Sequence, residues 1–301
     1  MEFYKKYRPK TLARMVGNET TVQALTNMLE RNTLPHTLLF TGPSGCGKTT
    51  LARILKQELD CLDVDFKEMN CADFRGIDTI REISRTMNLA PMGKCRIWLL
   101  DEAHQLSKDA QNGALKILED TPKHVYFFLC TTDQQKLLKT IRTRCCEMSV
   151  SLLNYKELEK LARRTMKREK IELDTDTMEE LVAAAVGSAR MLLVLLDKIA
   201  NLSPEEMITA IRQKMEEENE AIELCRALIS RIPWKGIAEI LKNLKGEPET
   251  IRYAVLGYAR AVLLNKCDSR AAVVIDCFRE NFYDSKQAGL TYACYDVLHG
   301  E

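Results

Sequence analysis

The sequence has no charge excess: 44 lysines and arginines stand against 43 aspartates and glutamates, a formal balance of +1 over 301 residues. That excludes capture of nucleic acid by bulk charge or a polybasic tail, while leaving local basic stripes open. No run approaches the roughly 18 apolar residues of a membrane span. The opening Met1-Glu2-Phe3-Tyr4-Lys5-Lys6 lacks the apolar core of a secretory signal. A soluble protein that stays where it is made, with no membrane partner, is the expectation. Cysteine is not scarce, at eleven, but no two stand at C-x2-C spacing. None of the four histidines flanks a cysteine pair at zinc-finger spacing. Reduced, mostly buried thiols, Cys267 among them, are expected rather than a metal site.

What is present is a chain 46% apolar and 29% charged, able to bury sizeable cores. At about 100–200 residues per domain it holds two or three. Short apolar runs at residues 36–41, 95–100 and 125–130, with weaker ones at 66–70 and 147–150, alternate with longer amphipathic stretches. This pattern predicts an α/β fold, a parallel sheet flanked by helices. After about residue 151 the strands vanish. Residues 155–170, 175–185, 189–201 and 203–220 have helical spacing, with Asp174 and Ser203 at N-cap positions and Pro204 at N1. The layout is α/β, then helical, then helical again.

Gly42-Pro43-Ser44-Gly45-Cys46-Gly47-Lys48-Thr49 matches G-x-x-x-x-G-K-[ST] at every position, between a predicted strand and a predicted helix. In that context backbone N–H groups turn inward around phosphates, and the helix start carried by Thr49 and Thr50 adds its positive dipole end. Lys48 reaches the β- and γ-phosphates and the Thr49 hydroxyl ligates Mg2+, so ATP and Mg2+ are the expected cofactors. About fifty residues on, Asp101-Glu102-Ala103-His104 places two acids at the end of an apolar strand. Asp101 is explained if it holds the Mg2+, and Glu102 if it polarises the attacking water. A small-molecule kinase or Ras-like GTPase needs no second acid there. Thr132, at the tip of the 125–130 strand, is a candidate to position that water if this strand inserts between the other two. Arg144, reaching no acid of its own chain, would serve a neighbouring subunit's γ-phosphate or belong to a surface basic cluster. Arg190, at a helix start where its charge opposes the dipole, would face the phosphates or simply stand exposed.

Taken in order, these motifs resemble the AAA+ ATPase subunits of sliding-clamp loaders: replication factor C small subunits, bacterial tau/gamma and the phage clamp-loader ATPase. Tyr7-Arg8-Pro9-Lys10-Thr11-Leu12 followed by Val16-Gly17-Asn18-Glu19 is similar to the family's opening, in which Tyr7, Arg8, Pro9 and Val16 would line the adenine pocket. Asn70 to Arg81 is similar to N-A-S-D-x-R-G-I-D-x-I-R of replication factor C. Thr131-Thr132-Asp133 resembles sensor 1, Thr143-Arg144-Cys145 the S-R-C box with its trans arginine finger, and Gly187-Ser188-Ala189-Arg190 sensor 2. The resemblance implies a RecA-like nucleotide-binding domain over 1–150, a helical lid carrying sensor 2 over 151–212 and a helical collar over 213–301. Two departures, Thr143 for the family's Ser and no four-cysteine zinc module before Asp101, favour a phage-type or replication-factor-C-like loader over the bacterial type.

The resemblance also implies a homo- or hetero-pentamer of loader subunits that opens a sliding clamp and places it on primer–template DNA. It would work in the cytoplasm, in a viral, bacterial or archaeal replisome. DNA phosphates would be met without sequence preference by Arg75, Thr79, Arg81 and Lys108, although Arg81 and Lys108 also fit ordinary solvated helix faces. Arg75 is expected to pair with Glu102 until DNA draws it away. Met87, Leu89 and Met92 would plug a clamp pocket or pack in the core. Another AAA+ DNA-remodelling ATPase, such as a branch-migration motor, or a loader subunit with little turnover are the competing readings.

Overall fold

The structure, a computed structural model, describes residues 2–299 except Lys245, Cys267, Tyr283 and Asp284; side chains at 204, 205, 212–219, 261 and 264–266 are also outside the description. The chain folds as two units, residues 1–202 and 203–301. In the first, α1 (Phe3–Lys6) and α2 (Glu19–Glu30) precede β1 (Thr37–Thr41), α3 (Lys48–Glu58), β2 (Phe66–Asn70), α4 (Ile77–Thr86) and β3 (Arg96–Asp101). Then come α5 (Lys108–Glu119), β4 (Val125–Thr131), α6 (Lys139–Arg142) and β5 (Cys146–Ser149), followed by three helices, α7 (Tyr155–Glu169), α8 (Thr175–Ala184) and α9 (Ala189–Ile199).

All five strands run parallel in the order β2-β3-β4-β1-β5. β4 therefore does insert between β3 and β1, and its tip stands beside the ends of both. The three central strands, β3, β4 and β1, read as continuous apolar runs because helices cover both faces, whereas the edge strands β2 and β5 are mixed. Leu38 and Phe40 of β1 point into a core with Leu51 and Leu55 of α3 and Leu25 of α2. Leu39, one residue out of phase, points to the other core with Ile80 and Ile83 of α4 and Ala110, Ala114 and Ile117 of α5. Each such fully buried Leu or Phe contributes about 1.5–3 kcal/mol. Both cores hold the strand ends at one edge of the sheet, where a parallel sheet of this kind takes its ligands.

The second unit contains α10 (Pro204–Ile229), α11 (Trp234–Asn243), α12 (Pro248–Lys266), α13 (Ser269–Cys277) and α14 (Lys286–His299). Its core joins Leu224 and Leu228 of α10, Val255 and Ala259 of α12, Val274 of α13 and Leu290 and Cys294 of α14. The division expected after residue 212 falls inside α10, which runs on to Ile229. The break lies at Ser203, where the Glu206 carboxylate accepts from the Ser203 N–H and hydroxyl at 2.9 and 2.8 Å and starts the helix. Residues 151–202 belong with the sheet.

The ten described cysteines are free thiols, seven of them buried; the reading of Cys267 lies outside the described residues. Among the described residues no helix is long and apolar enough to cross a membrane. Of the three residues offered as a plug, Met87 is core, whereas Leu89 and Met92 are 59% and 81% exposed.

Among the described residues one β-branched side chain sits on a left-handed backbone. Val186, just past the end of α8, takes φ +45°, where its branched Cβ crowds the carbonyl. Helices usually end there on Gly or Asn. The side chain is exposed, so little packing compensates. Val186→Asn is expected to stabilise the first unit by about 1 kcal/mol, a rise of roughly 2–4 °C in its thermal midpoint. An unchanged or lower midpoint in a melting scan would count against the strain.

Candidate nucleotide site

The loop between β1 and α3 needs glycine at two places above all. Gly42 has φ +148°, and a Cβ there would lie 1.9 Å from the Val150 carbonyl oxygen. Gly47, which precedes the first residue of α3, has φ +110°, a conformation side chains rarely adopt. The turn so formed buries Lys48, whose Nζ donates to the carbonyls of Gly42 and Pro43 at 2.8 and 2.7 Å. Those partners are neutral. A buried ammonium held by two carbonyls and, at 4.0 Å, the Cys46 sulfur is poised for an anion. Cys46, beside it, is a neutral thiol because burial pushes its pKa up.

Next along α3, the Thr49 hydroxyl donates to Asp101 Oδ2 at 2.9 Å. A hydroxyl and a carboxylate at this spacing, next to a phosphate cradle, are the hard oxygen ligands that Mg2+ takes. Asp101 Oδ1 also accepts the N–H of Glu102 at 3.1 Å, while Glu102 itself turns left-handed at φ +50°. This non-glycine outlier sits at the strand tip, the kind of place where strain is kept for function. Its carboxylate Oε2 accepts from the Thr132 hydroxyl at 3.2 Å. Lys48, Thr49, Asp101, Glu102 and Thr132, chosen from sequence, are thus brought together.

All but Thr132 line a cavity of about 420 Å3, within the range of small-molecule sites. Eight lysines and arginines line it against two acids, Asp101 and Glu102, an electrostatic match for a polyphosphate. Ser44, Gly45 and Thr50 also line it, as do Tyr7, Arg8, Pro9 and Val16. Arg190, on the first turn of α9, also reaches the cavity, its guanidinium 6.0 Å from the centre of the Tyr4 ring. Sequence reasoning missed Tyr4, Leu153, Leu161 and Leu193, apolar walls from three segments far apart in the chain. It also missed Glu169 at the end of α7, which takes the Tyr7 hydroxyl and pairs with Lys6 at 2.5 Å. Lys6 and then Tyr7 hold this carboxyl below its usual range. The pair bolts the N-terminal segment over the cavity.

The sequence model described as "DNA polymerase III, delta subunit" matches residues 17–79 and 65–154. The gamma/tau subunit of DNA polymerase III from Mycobacterium tuberculosis is 31% identical over 236 residues, 70% of this chain and 41% of that protein. The tau subunit from Escherichia coli is 33% identical over 216 residues, 64% of this chain and 34% of the relative. The chain is thus similar to DNA polymerase III gamma/tau subunits over about two thirds of its length. It spans well under half of these relatives' length, 41% at most. Both are bacterial, the type from which the absent four-cysteine module pointed away. Among solved structures, the Thermotoga maritima RuvB Holliday junction branch migration motor superposes with a TM-score of 0.61 at 20% identity, over 78% of this chain and 85% of that one. That likeness carries the fold.

Two clamp-loader expectations need correcting. Arg144 does reach an acid of its own chain: Nη2 and Nε donate to Glu119 Oε2 at 2.8 and 3.2 Å, and Nη1 donates to the Thr140 carbonyl at 3.0 Å. Glu119 closes α5, 25 residues upstream, and no local pattern pairs the two. Arg75 does not pair with Glu102. Its Nε donates to the Ala72 carbonyl at 2.7 Å, and the Glu102 carboxylate is engaged by Thr132 and His104 instead.

Arg75 nevertheless has a neighbour of interest. Its carbonyl accepts the Ser107 N–H at 3.0 Å, tying the start of α4 to the start of α5. Two helix N-termini lie side by side, flanked by exposed Arg75, Arg81 and Lys108 and half-buried Thr79. Arg81 shares its charge with Asp78 at 2.8 Å.

Proposed function

We propose that this chain is an ATP-hydrolysing subunit of a sliding-clamp loader, acting in the cytoplasm at the replication fork. The arrangement that carries the reading is Glu102, held on one oxygen by Thr132, at a strand tip beside the Thr49–Asp101 pair and the uncompensated Lys48. Mg2+, held by Thr49 Oγ1 and Asp101, would neutralise phosphate oxygens. The chain's own residues do the rest. Loop N–H groups and Lys48 bind the β- and γ-phosphates, and Tyr7, Pro9 and Val16 hold the base. Glu102 takes a proton from water as its oxygen adds to the γ-phosphorus, and Lys48 and Arg190 stabilise the charge that passes to the departing ADP.

Arg144 would complete a neighbour's site once it leaves Glu119. An exposed ion pair of this kind contributes only about 0–1 kcal/mol, so release is cheap enough to accompany assembly into a pentamer of like or unlike subunits. The paired N-termini of α4 and α5 suit phosphates of primer–template DNA, met without sequence preference. Leu89 and Met92, with Leu62 and Val64, form an exposed apolar set on neighbouring loops suited to an apolar pocket on the clamp. The 31–33% identity to gamma/tau subunits favours a loader over a branch-migration motor, for which the fold alone speaks.

The test is steady-state phosphate release by the purified chain, alone and with primed DNA and a bacterial sliding clamp. Turnover is expected to rise several-fold only with both. Activity indifferent to both would sink the loader reading and leave an ATPase.

A further inference from the structure

Glu102 has a second polar neighbour besides Thr132, and it comes from the chain's own next turn. The left-handed backbone of Glu102 starts a short 3-10 turn, Ala103–Gln105, which folds the His104 ring back against the strand tips. The ring is 8% exposed, and its Nδ1 lies 3.3 Å from Glu102 Oε2 and 3.1 Å from Thr131 Oγ1. Its other nitrogen, Nε2, lies 3.1 Å from Gln105 Nε2.

The hydrogen-bond partners select the tautomer. An amide nitrogen only donates, so His104 Nε2 must be the accepting nitrogen and the proton sits on Nδ1. Burial lowers the pKa of the ring, against the pull of Glu102, so the neutral form prevails at neutral pH. Nδ1–H then lies between Thr131 Oγ1, its hydrogen-bond partner at 3.1 Å, and the Glu102 carboxylate at 3.3 Å. Glu102 Oε2 accepts from the Thr132 hydroxyl and has the imidazole nitrogen 3.3 Å away, which leaves Oε1 to meet water.

We propose that His104 is a positioning residue for ATP hydrolysis, its Nδ1–H fixing one oxygen of the Glu102 carboxylate so that the other faces the attacking water. This rests on the base role given to Glu102. The carboxylate of a glutamate rotates through three torsions, and a base must stand within about 3 Å of the proton it takes. Thr132 alone restrains one contact; the His104 ring, beside the same oxygen, narrows the freedom of the carboxylate further.

Two measurements on the full chain test it. Long-range proton–nitrogen spectra of 15N-labelled protein should show His104 as the neutral Nδ1–H tautomer at pH 7.5. The Nε2–H tautomer, or an imidazolium, would overturn the proposal without reference to turnover. In phosphate-release assays His104→Asn, whose amide N–H takes the place of Nδ1–H, should keep kcat within about threefold. His104→Leu, which fills the space and donates nothing, should lose about tenfold in kcat with KM for ATP within twofold. Equal losses in the two variants would mark a ring that only packs, and overturn the positioning role. The pH profile adds a check against the charges around the ring, Glu102, Asp133, Lys136 and Lys48. Wild-type kcat should fall as acid charges His104 and locks it onto Glu102; an acid limb unchanged in His104→Asn would count against the pairing. A wild-type chain that binds ATP but hydrolyses none would remove the base role of Glu102 while the spectra still decide the hydrogen bond.

Discussion

Glu102→Gln keeps nucleotide binding and loses about 10²–10⁴-fold in ATP turnover. The amide has the size and shape of the carboxylate, and its oxygen still accepts from Thr132 at the strand tip. The left-handed backbone at this position depends on the Asp101 carboxylate holding the Glu102 N–H, which the substitution leaves alone. Only the capacity to take a proton is gone. A fluorescent ATP analogue should therefore titrate the variant with wild-type affinity, while single-turnover phosphate release nearly stops. Turnover within tenfold of wild type would mean that another group is the base.

Lys48→Ala acts on the opposite quantity. With its ammonium the site loses the buried cation closest to the phosphate cradle, and ATP affinity is expected to fall at least 100-fold, the scale of removing one partner from a buried charge pair. The free chain should melt no earlier. Lys48 is buried against two carbonyls and no acid, so its removal relieves a desolvated charge while freeing two acceptors at a loop that water reaches. The checking measurement is the rise in melting temperature produced by ATP, which follows from preferential binding to the folded state. That rise should vanish in Lys48→Ala. An undiminished shift would place the nucleotide elsewhere.

How much of this was legible in the sequence follows from how far each signal reaches along the chain. The strands were readable because both faces of the sheet are covered, so Thr37–Thr41 and Val125–Thr131 are apolar without alternation. The phosphate loop was readable because its glycines, lysine and threonine occupy eight consecutive positions. The insertion of β4 was raised only as the condition for Thr132 to reach the site, and the strand order meets it. What stayed hidden depends on pairs that no local pattern announces. Tyr7 meets Glu169 across 162 residues, and Arg144 meets Glu119 because α5 ends where α6 does. The expected Arg75–Glu102 pair failed for a local reason: the Arg75 side chain turns back to Ala72, three residues away. His104 was in plain view within Asp-Glu-Ala-His, yet its part required the left-handed turn at Glu102, which side-chain identity does not reveal. The helix start at Ser203 was visible too, but its meaning as the edge of a unit was not, because the helix it opens runs on without a break.

The strand order sets a timetable for synthesis. β1 is made early, but both of its neighbours, β4 and β5, come much later in the chain. When the ribosome finishes Thr41, residues 42–131 have still to be added before the first partner is complete. At about 5–20 residues per second that is a wait of roughly 5–20 s. Throughout it Leu38, Leu39 and Phe40, among the most deeply buried side chains of the finished fold, have no sheet to join. The nascent chain must carry an unpaired, sticky strand and an unformed phosphate loop until its middle third arrives, which makes this stretch the one for a holding chaperone to cover.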